Sequence, residues 1–273
     1  MQELILEAGR SEKNYFRDLW RYRELFYFLA WRDILIRYKQ TVVGIGWAVL
    51  RPFLTMLVFT FIFSRVAKLH ASGSIPYALL VMAGMLPWQF FANSLTESSA
   101  SLVDNTKLIS KIYFPRLIIP SSSVITSFID FLITLVIMAS MMAWYRFTPD
   151  WHILLLPLFV LLCIACAFGA GLWLAALNAE YRDFRYIIPF IVQFGLYLSP
   201  VGFSSSIVPA KWRLVYALNP CVGIIDGFRW SLLGGESPLW LPGVLLSVAT
   251  TGIICVSSIW YFRRMEKTFA DIL

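Results

Sequence analysis

The chain has 273 residues, of which 59% are hydrophobic and 14% charged, and its mean hydropathy is +0.71. A soluble domain carries charge on about a quarter of its residues, so the surplus apolar surface here has to face lipid, and the composition describes a membrane protein. The net charge of +7 does not point to nucleic acid, because the bases sit at the ends of apolar runs, where they meet lipid headgroups and set orientation.

The first forty residues are charged and lack the short apolar core of a cleavable signal peptide. Within them, YFRDLWRYRELFYFLAWRDILIRYK (15–39) reads as an amphipathic helix. Arg17, Arg21, Glu24, Arg32 and Lys39 share one helical stripe, and the rest of the circumference is aromatic or aliphatic. Such a helix lies in the headgroup plane.

A spanning helix needs about 20 mostly apolar residues. Six segments are predicted to span: 42–64, 76–96, 117–145, 152–177, 187–203 and 241–262. The third begins with Pro120 and three serines, and the fifth is short, with Pro189 and Pro200 near its ends. Six crossings put both termini on one side. The segments on that side hold sixteen Lys and Arg against six on the other, so the termini are expected to be cytoplasmic. Between spans five and six, residues 204–240 contain two apolar stretches, 211–218 and 222–233, each too short to span and separated by Asn219-Pro220. They are predicted to form a re-entrant or interfacial hairpin, its turn shaped by Asn and Pro.

Catalytic chemistry is sparse. The two histidines, His70 and His152, fall at the ends of spans, and no H-E-x-x-H, G-x-S-x-G or G-x-x-x-x-G-K-[ST] pattern occurs. Any nucleotide-driven work therefore belongs to another chain. Cys163 and Cys166 form a C-x-x-C inside LLCIACAFGA, where buried packing is the expectation. Arg51 and Asp130 lie within spans, with Glu97 near a span end, and an ionisable group at that depth faces protein or water. Asp130 is a candidate channel-lining residue, and Asp130 with Arg51 is a candidate pair. Most of the eleven Trp are expected in interfacial belts, among them Trp47, Trp88, Trp144, Trp151, Trp240 and Trp260. A subset of aromatics is expected to line a conduit, where ring faces pack on sugars without fixing a register.

YKQTVVGIGWAVLRPFLTMLVFTFIFSRV, then YALLVMAGMLPWQFFANSLTESSASLVDNTKLISKIYFPRLIIP, then NPCVGIIDGFRWSLLG closely resemble the membrane subunit of ABC-2-type polysaccharide exporters. That group includes O-antigen, capsule and teichoic-acid permeases. The likeness runs from residue 17 to 265, and its most family-like pieces are K-x-x-F-P-R at Lys111–Arg116 and N-P…F-R at Asn219–Pro220 and Phe228–Arg229. It implies an all-α polytopic membrane protein that is not itself an enzyme. It further implies a homodimer served by two ABC ATPase subunits, which bind the ATP and magnesium, so the chain needs no cofactor of its own.

The implied cargo is a glycan on undecaprenyl pyrophosphate, moved from the cytoplasmic to the periplasmic face of the bacterial inner membrane. By the same resemblance, 15–39 matches an interface helix, 101–114 a coupling loop with Asp104, Lys107 and Lys111 toward the ATPase, and Asn219 to Gly234 the periplasmic gate. Arg32, Arg37 and Lys39 are candidates to meet the pyrophosphate, with Arg51 deeper, at the entrance of a polar conduit. Gly44 and Gly46 permit close helix approach there, and Pro52 frees backbone groups nearby. Two alternatives stay open: an ABC-2 permease for another lipid or drug, and a proton-coupled secondary transporter built around Asp130.

Overall fold

The computed structural model describes residues 15–39, 45–66, 75–234, 239–266 and 268–269, and every regular element among them is helical. Gly44, His70 and residues 235–238 of the outer segment lie outside the described residues. Two surface helices, α1 (Tyr15–Arg21) and α2 (Arg23–Lys39), precede α3 (Ile45–Thr60), which continues through a wider π-type turn, Phe61–Val66. Then come α4 (Tyr77–Asp104), the short α5 (Thr106–Ile109), α6 (Ile118–Trp144) and α7 (Leu156–Glu180), the last entered through a 3-10 turn at Trp151–Leu155. The chain ends in α8 (Phe184–Leu198), α9 (Ala210–Tyr216), α10 (Pro220–Leu233) and α11 (Leu241–Met265). Among the described residues, five stretches are long and apolar enough to cross a membrane: 46–64, 77–104, 118–144, 151–180 and 241–265.

Helix α4 is the axis of the body. It is the least hydrophobic of the five, with a mean hydropathy of 1.3, yet 78% of its apolar window is buried. The 151–180 stretch, at 2.8, is only 28% buried. The inversion follows from the solvent: a lipid-facing helix has to be apolar all round, whereas an inner one can carry polar groups that neighbours satisfy. Accordingly Ser98 Oγ donates to the Pro120 carbonyl at 3.1 Å, and Asn178 Nδ2 donates to the Ser99 carbonyl at 2.8 Å. A Cβ at Gly171 of α7 would stand 2.9 Å from the Ser98 side chain, so glycine sets how closely α4 and α7 approach. Trp88, expected in a belt, is 6% exposed, because α4 runs on to Asp104 and leaves it mid-helix, packed over Gly195 of α8. The C-x-x-C thiols are buried as packing groups, and Cys163 donates to the Pro87 carbonyl.

The fifth predicted span is interrupted. Helix α8 stops at Leu198, since Pro200 bars Ser199 from a helical ψ and Ser199 is extended at ψ 150°. Ser199 and Val201 are fully buried all the same, so this irregular stretch needs partners for its carbonyls.

The two described ends of the chain meet at one end of the body, the terminal end. Tyr15 Oη donates to Glu266 Oε1 at 3.2 Å, and the Arg116 amide donates to the same oxygen at 2.7 Å. The Arg116 guanidinium also reaches the Glu266 carbonyl and lies over the Phe269 ring. The arginine of K-x-x-F-P-R is thus a clasp between the start of α6 and the end of α11. Burial raises the Glu266 carboxyl above its usual range, against the pull of the Arg116 amide, the Tyr15 hydroxyl and the Arg116 and Arg263 charges. A carboxyl raised on folding gives its full stability below its unfolded value and loses it as pH climbs through the folded one. Gln keeps the accepting oxygen and removes the charge. Glu266→Gln is therefore expected to match the wild type in thermal unfolding at acid pH, where the carboxyl is protonated, and to keep that stability as pH rises, flattening this pH dependence. Glu266→Ala leaves the Arg116 amide unpaired and costs about 1–3 kcal/mol.

Candidate functional site

Helix α2 rests on the terminal end of α6, with Leu29 buried against Leu102, Phe114, Ile118 and Phe262. Aromatic residues of α1 and α2, Trp20 on the first and Tyr27, Phe28 and Trp31 on the second, are exposed, and Tyr27 and Trp31 stack, as suits helices lying at a membrane surface. The last turns of α2 carry Arg37 inward. Arg37 Nη2 lies 3.0 Å from Glu97 Oε1 of α4 and 3.3 Å from Asp130 Oδ2 of α6, and the Tyr38 hydroxyl donates to the other Asp130 oxygen. Burial, then the hydrogen bond to Asp130, pushes the Tyr38 phenol well up, so it stays a donor.

Arg32 is committed elsewhere. Its guanidinium binds Asp33 Oδ1 at 2.8 Å and Asn105 Oδ1 at 2.9 Å, which ties α2 to the hinge between α4 and α5. Lys39 is exposed. Arg51 is exposed too and makes no side-chain hydrogen bond or ion pair among the described residues, so the Arg51–Asp130 pair does not form. Asp130 is held instead by Arg37 and Tyr38. Both still face one cavity of about 320 Å³, between α3, α4 and α6, lined also by Trp47, Trp88, Gln89, Asn93, Thr55 and Thr134. Pro52 lies in α3 beside Arg51 and lines the same cavity. A second cavity, of about 440 Å³, opens between α2, α4 and α6 beside Arg32, Glu97, Asp104 and Asn105. Arg37 belongs to both.

In the 101–114 segment, Ser101 to Asp104 form the last turn of α4 and Asn105 breaks into α5. Ile109 is buried with Phe114, while Asp104, Lys107 and Lys111 project outward. At the far end, Asn219 caps α10 by accepting the Cys221 amide at 3.0 Å, and Pro220 occupies its first turn. Phe228 is buried against Phe131. Arg229 is 1% exposed. It donates to the carbonyls of Leu80 at 3.2 Å, Val201 at 2.7 Å and Phe203 at 2.7 Å, and the Tyr77 hydroxyl takes the Gly202 carbonyl between the last two. The irregular stretch after α8 is thereby satisfied. Sequence reasoning missed the Arg37–Glu97–Asp130 cluster, although Glu97 stood out as a charge near a span end. It also missed the Arg32–Asn105 and Arg116–Glu266 ties, which join residues far apart in sequence.

The profile of the ABC-2 type transporter family matches residues 24–233. Among curated proteins, an O-antigen export system permease protein RfbA of Klebsiella pneumoniae is 28% identical over 260 residues, covering 92% of this chain and 95% of that protein. A protein of the same name from Myxococcus xanthus is 29% identical over 255 residues, covering 92% and 96%. The matched span includes α2 and α10, the helices that carry the inner cluster and the far-end clamp, and on that evidence the chain belongs to the ABC-2 type transporter family.

Proposed function

We propose that this chain is the permease subunit of an ATP-driven exporter in the bacterial inner membrane. Its cargo is a polysaccharide, an O-antigen in first place, carried on undecaprenyl pyrophosphate from the cytoplasm to the periplasm. The observation that carries the reading is the match to relatives named as O-antigen export permeases, which covers 92% of this chain and 95–96% of theirs. An ABC-2 permease is a transport component whose partner is an ATPase. Two copies of this chain would form the pathway, with two ATPase subunits, each binding ATP and magnesium, on the terminal side.

The meeting of Tyr15 with Glu266 supports six crossings, because termini on one face require an even number and α8 is the remaining apolar helix. Its 15 residues span about 22 Å at 1.5 Å per residue, and the buried stretch to Phe203 supplies the rest of the path. The excess of Lys and Arg on that face supports a cytoplasmic position for it. The inner cavity, with Arg51 and its aromatic walls, suits a charged headgroup followed by sugars, and the α9–α10 hairpin with Asn219, Pro220, Phe228 and Arg229 stands as the far gate.

Deleting the chain is expected to strip the surface glycan and leave lipid-linked glycan on the cytoplasmic face, with both restored by a plasmid copy. A normal coat after deletion, with no substitute pump present, overturns the proposal.

A further inference from the structure

Among the described residues, Arg37 alone lines both cavities and bonds to carboxylates from two different helices. Its Nη2 is shared by Glu97 and Asp130, while its Nη1 is enclosed with no hydrogen-bond partner among the described residues. A guanidinium presents a fork that suits two oxygens of one planar or tetrahedral anion. Here one prong serves two separate carboxylates and the other serves none, so the geometry is that of an anion site filled by substitutes.

We propose that Glu97 and Asp130 occupy the anion site of Arg37 as internal competitors, and that a pyrophosphate group on the cargo lipid displaces them. The inference rests on reading α2 as the mouth for a phosphate-bearing lipid. It goes further in one respect: the resting protein holds its own mouth shut. With the carboxylates bound, Arg37 and Tyr38 tether the end of α2 to α4 and α6 and stand between the two cavities. A phosphate group offers more charge and more acceptor oxygens than either carboxylate and can engage both nitrogens of the fork. Once it binds, the tethers to Glu97 and Asp130 are released together. Arg32 takes no part, since Asp33 and Asn105 already satisfy it.

The test measures the Kd of inorganic pyrophosphate for the purified full chain in neutral-lipid nanodiscs. Glu97 is 45% exposed and its pairing is weak, so Glu97→Gln is expected to tighten binding by about two- to fivefold. Asp130 is 17% exposed and doubly bonded, so Asp130→Asn is expected to gain more, about tenfold. Arg37→Gln abolishes binding, and adding Glu97→Gln to it restores nothing. Should Asp130→Asn fail to fold, Glu97→Gln carries the test by itself.

Equal, Arg37-dependent affinities in wild type and Glu97→Gln overturn the competitor role and leave the mouth in place. No Arg37-dependent binding in any variant overturns the mouth as well. In nanodiscs containing phosphatidylglycerol the ratio between Glu97→Gln and wild type is expected to persist. Its collapse to one means that a phospholipid headgroup fills the site and overturns the assignment to the cargo.

Discussion

Arg229→Met is expected to lower the thermal midpoint of the purified chain by about 10 °C. The guanidinium is the partner of three buried carbonyls, those of Leu80, Val201 and Phe203. Methionine fills much of the volume and donates nothing, so the buried Val201 and Phe203 carbonyls lose their donor and the Leu80 carbonyl loses one of two. Each unpaired acceptor costs about 1–3 kcal/mol, and partial relaxation brings the total to about 3–5 kcal/mol. At about 2–4 °C per kcal/mol for a chain of this size, the shift follows. Lysine recovers little, because one ammonium cannot span carbonyls on both α4 and the stretch after α8.

Gly84 supplies the independent check. A Cβ there would sit 2.8 Å from Arg229 Nη2 and 2.9 Å from the Val201 carbonyl, so Gly84→Ala pushes on the same clamp from α4. Its cost should shrink in the Arg229→Met background, since half of the collision is then gone. Size-exclusion profiles after stepwise heating read both effects. A shift of less than about 2 °C for Arg229→Met would mean that the carbonyls find other donors.

The amount of this that could be read from the sequence follows from the range of the forces involved. Hydropathy located α4, α6, α7 and α11, because facing lipid requires an apolar run whatever the neighbours. It overran α8 because Val201 and Phe203 are as apolar as a helix would need, and only the satisfaction of their carbonyls by Arg229, and of the Gly202 carbonyl by Tyr77, shows why the backbone can leave the helix there. Trp88 was misplaced for a related reason. Composition cannot tell a tryptophan at a lipid boundary from one packed over a glycine in a neighbouring helix. At the inner site the residue types were legible and the pairing was not. Asp130 invited a cation, and Arg51 was the one within a span, but α2 folds back onto α6 and brings Arg37 to it instead. Pairing of that kind depends on the approach of a surface helix, which no local periodicity encodes.

Lys107→Glu with Lys111→Glu is expected to cut transport-coupled ATP hydrolysis at least about tenfold while leaving the fold of the chain intact. Short helix α5 is pinned from beneath, where Ile109 packs with Leu102 and Phe114. Above it, Lys107 and Lys111 are exposed beside Val103, Ile112 and Tyr113, whose exposures of 40%, 53% and 50% are large for apolar and aromatic residues on a short loop. A rigid base carrying apolar groups rimmed by lysines is where the proposal seats the ATPase partner that ABC-2 family membership implies. Reversing both charges replaces attraction with like-charge contact across that surface. Such juxtaposition costs several kcal/mol, and about 1.4 kcal/mol is already tenfold in affinity. Neither lysine is buried, so the isolated chain should unfold within about 0.5 kcal/mol of wild type. The measurement is co-purification of the ATPase together with hydrolysis in the reconstituted complex, and a compensating acidic-to-basic change on the ATPase should restore both. Arg32 ties the neighbouring Asn105 to α2, so a loop that docks here also reports on the helix that carries Arg37. Coupled hydrolysis unchanged by the double reversal would move the docking surface elsewhere and cut that connection between the mouth and the motor.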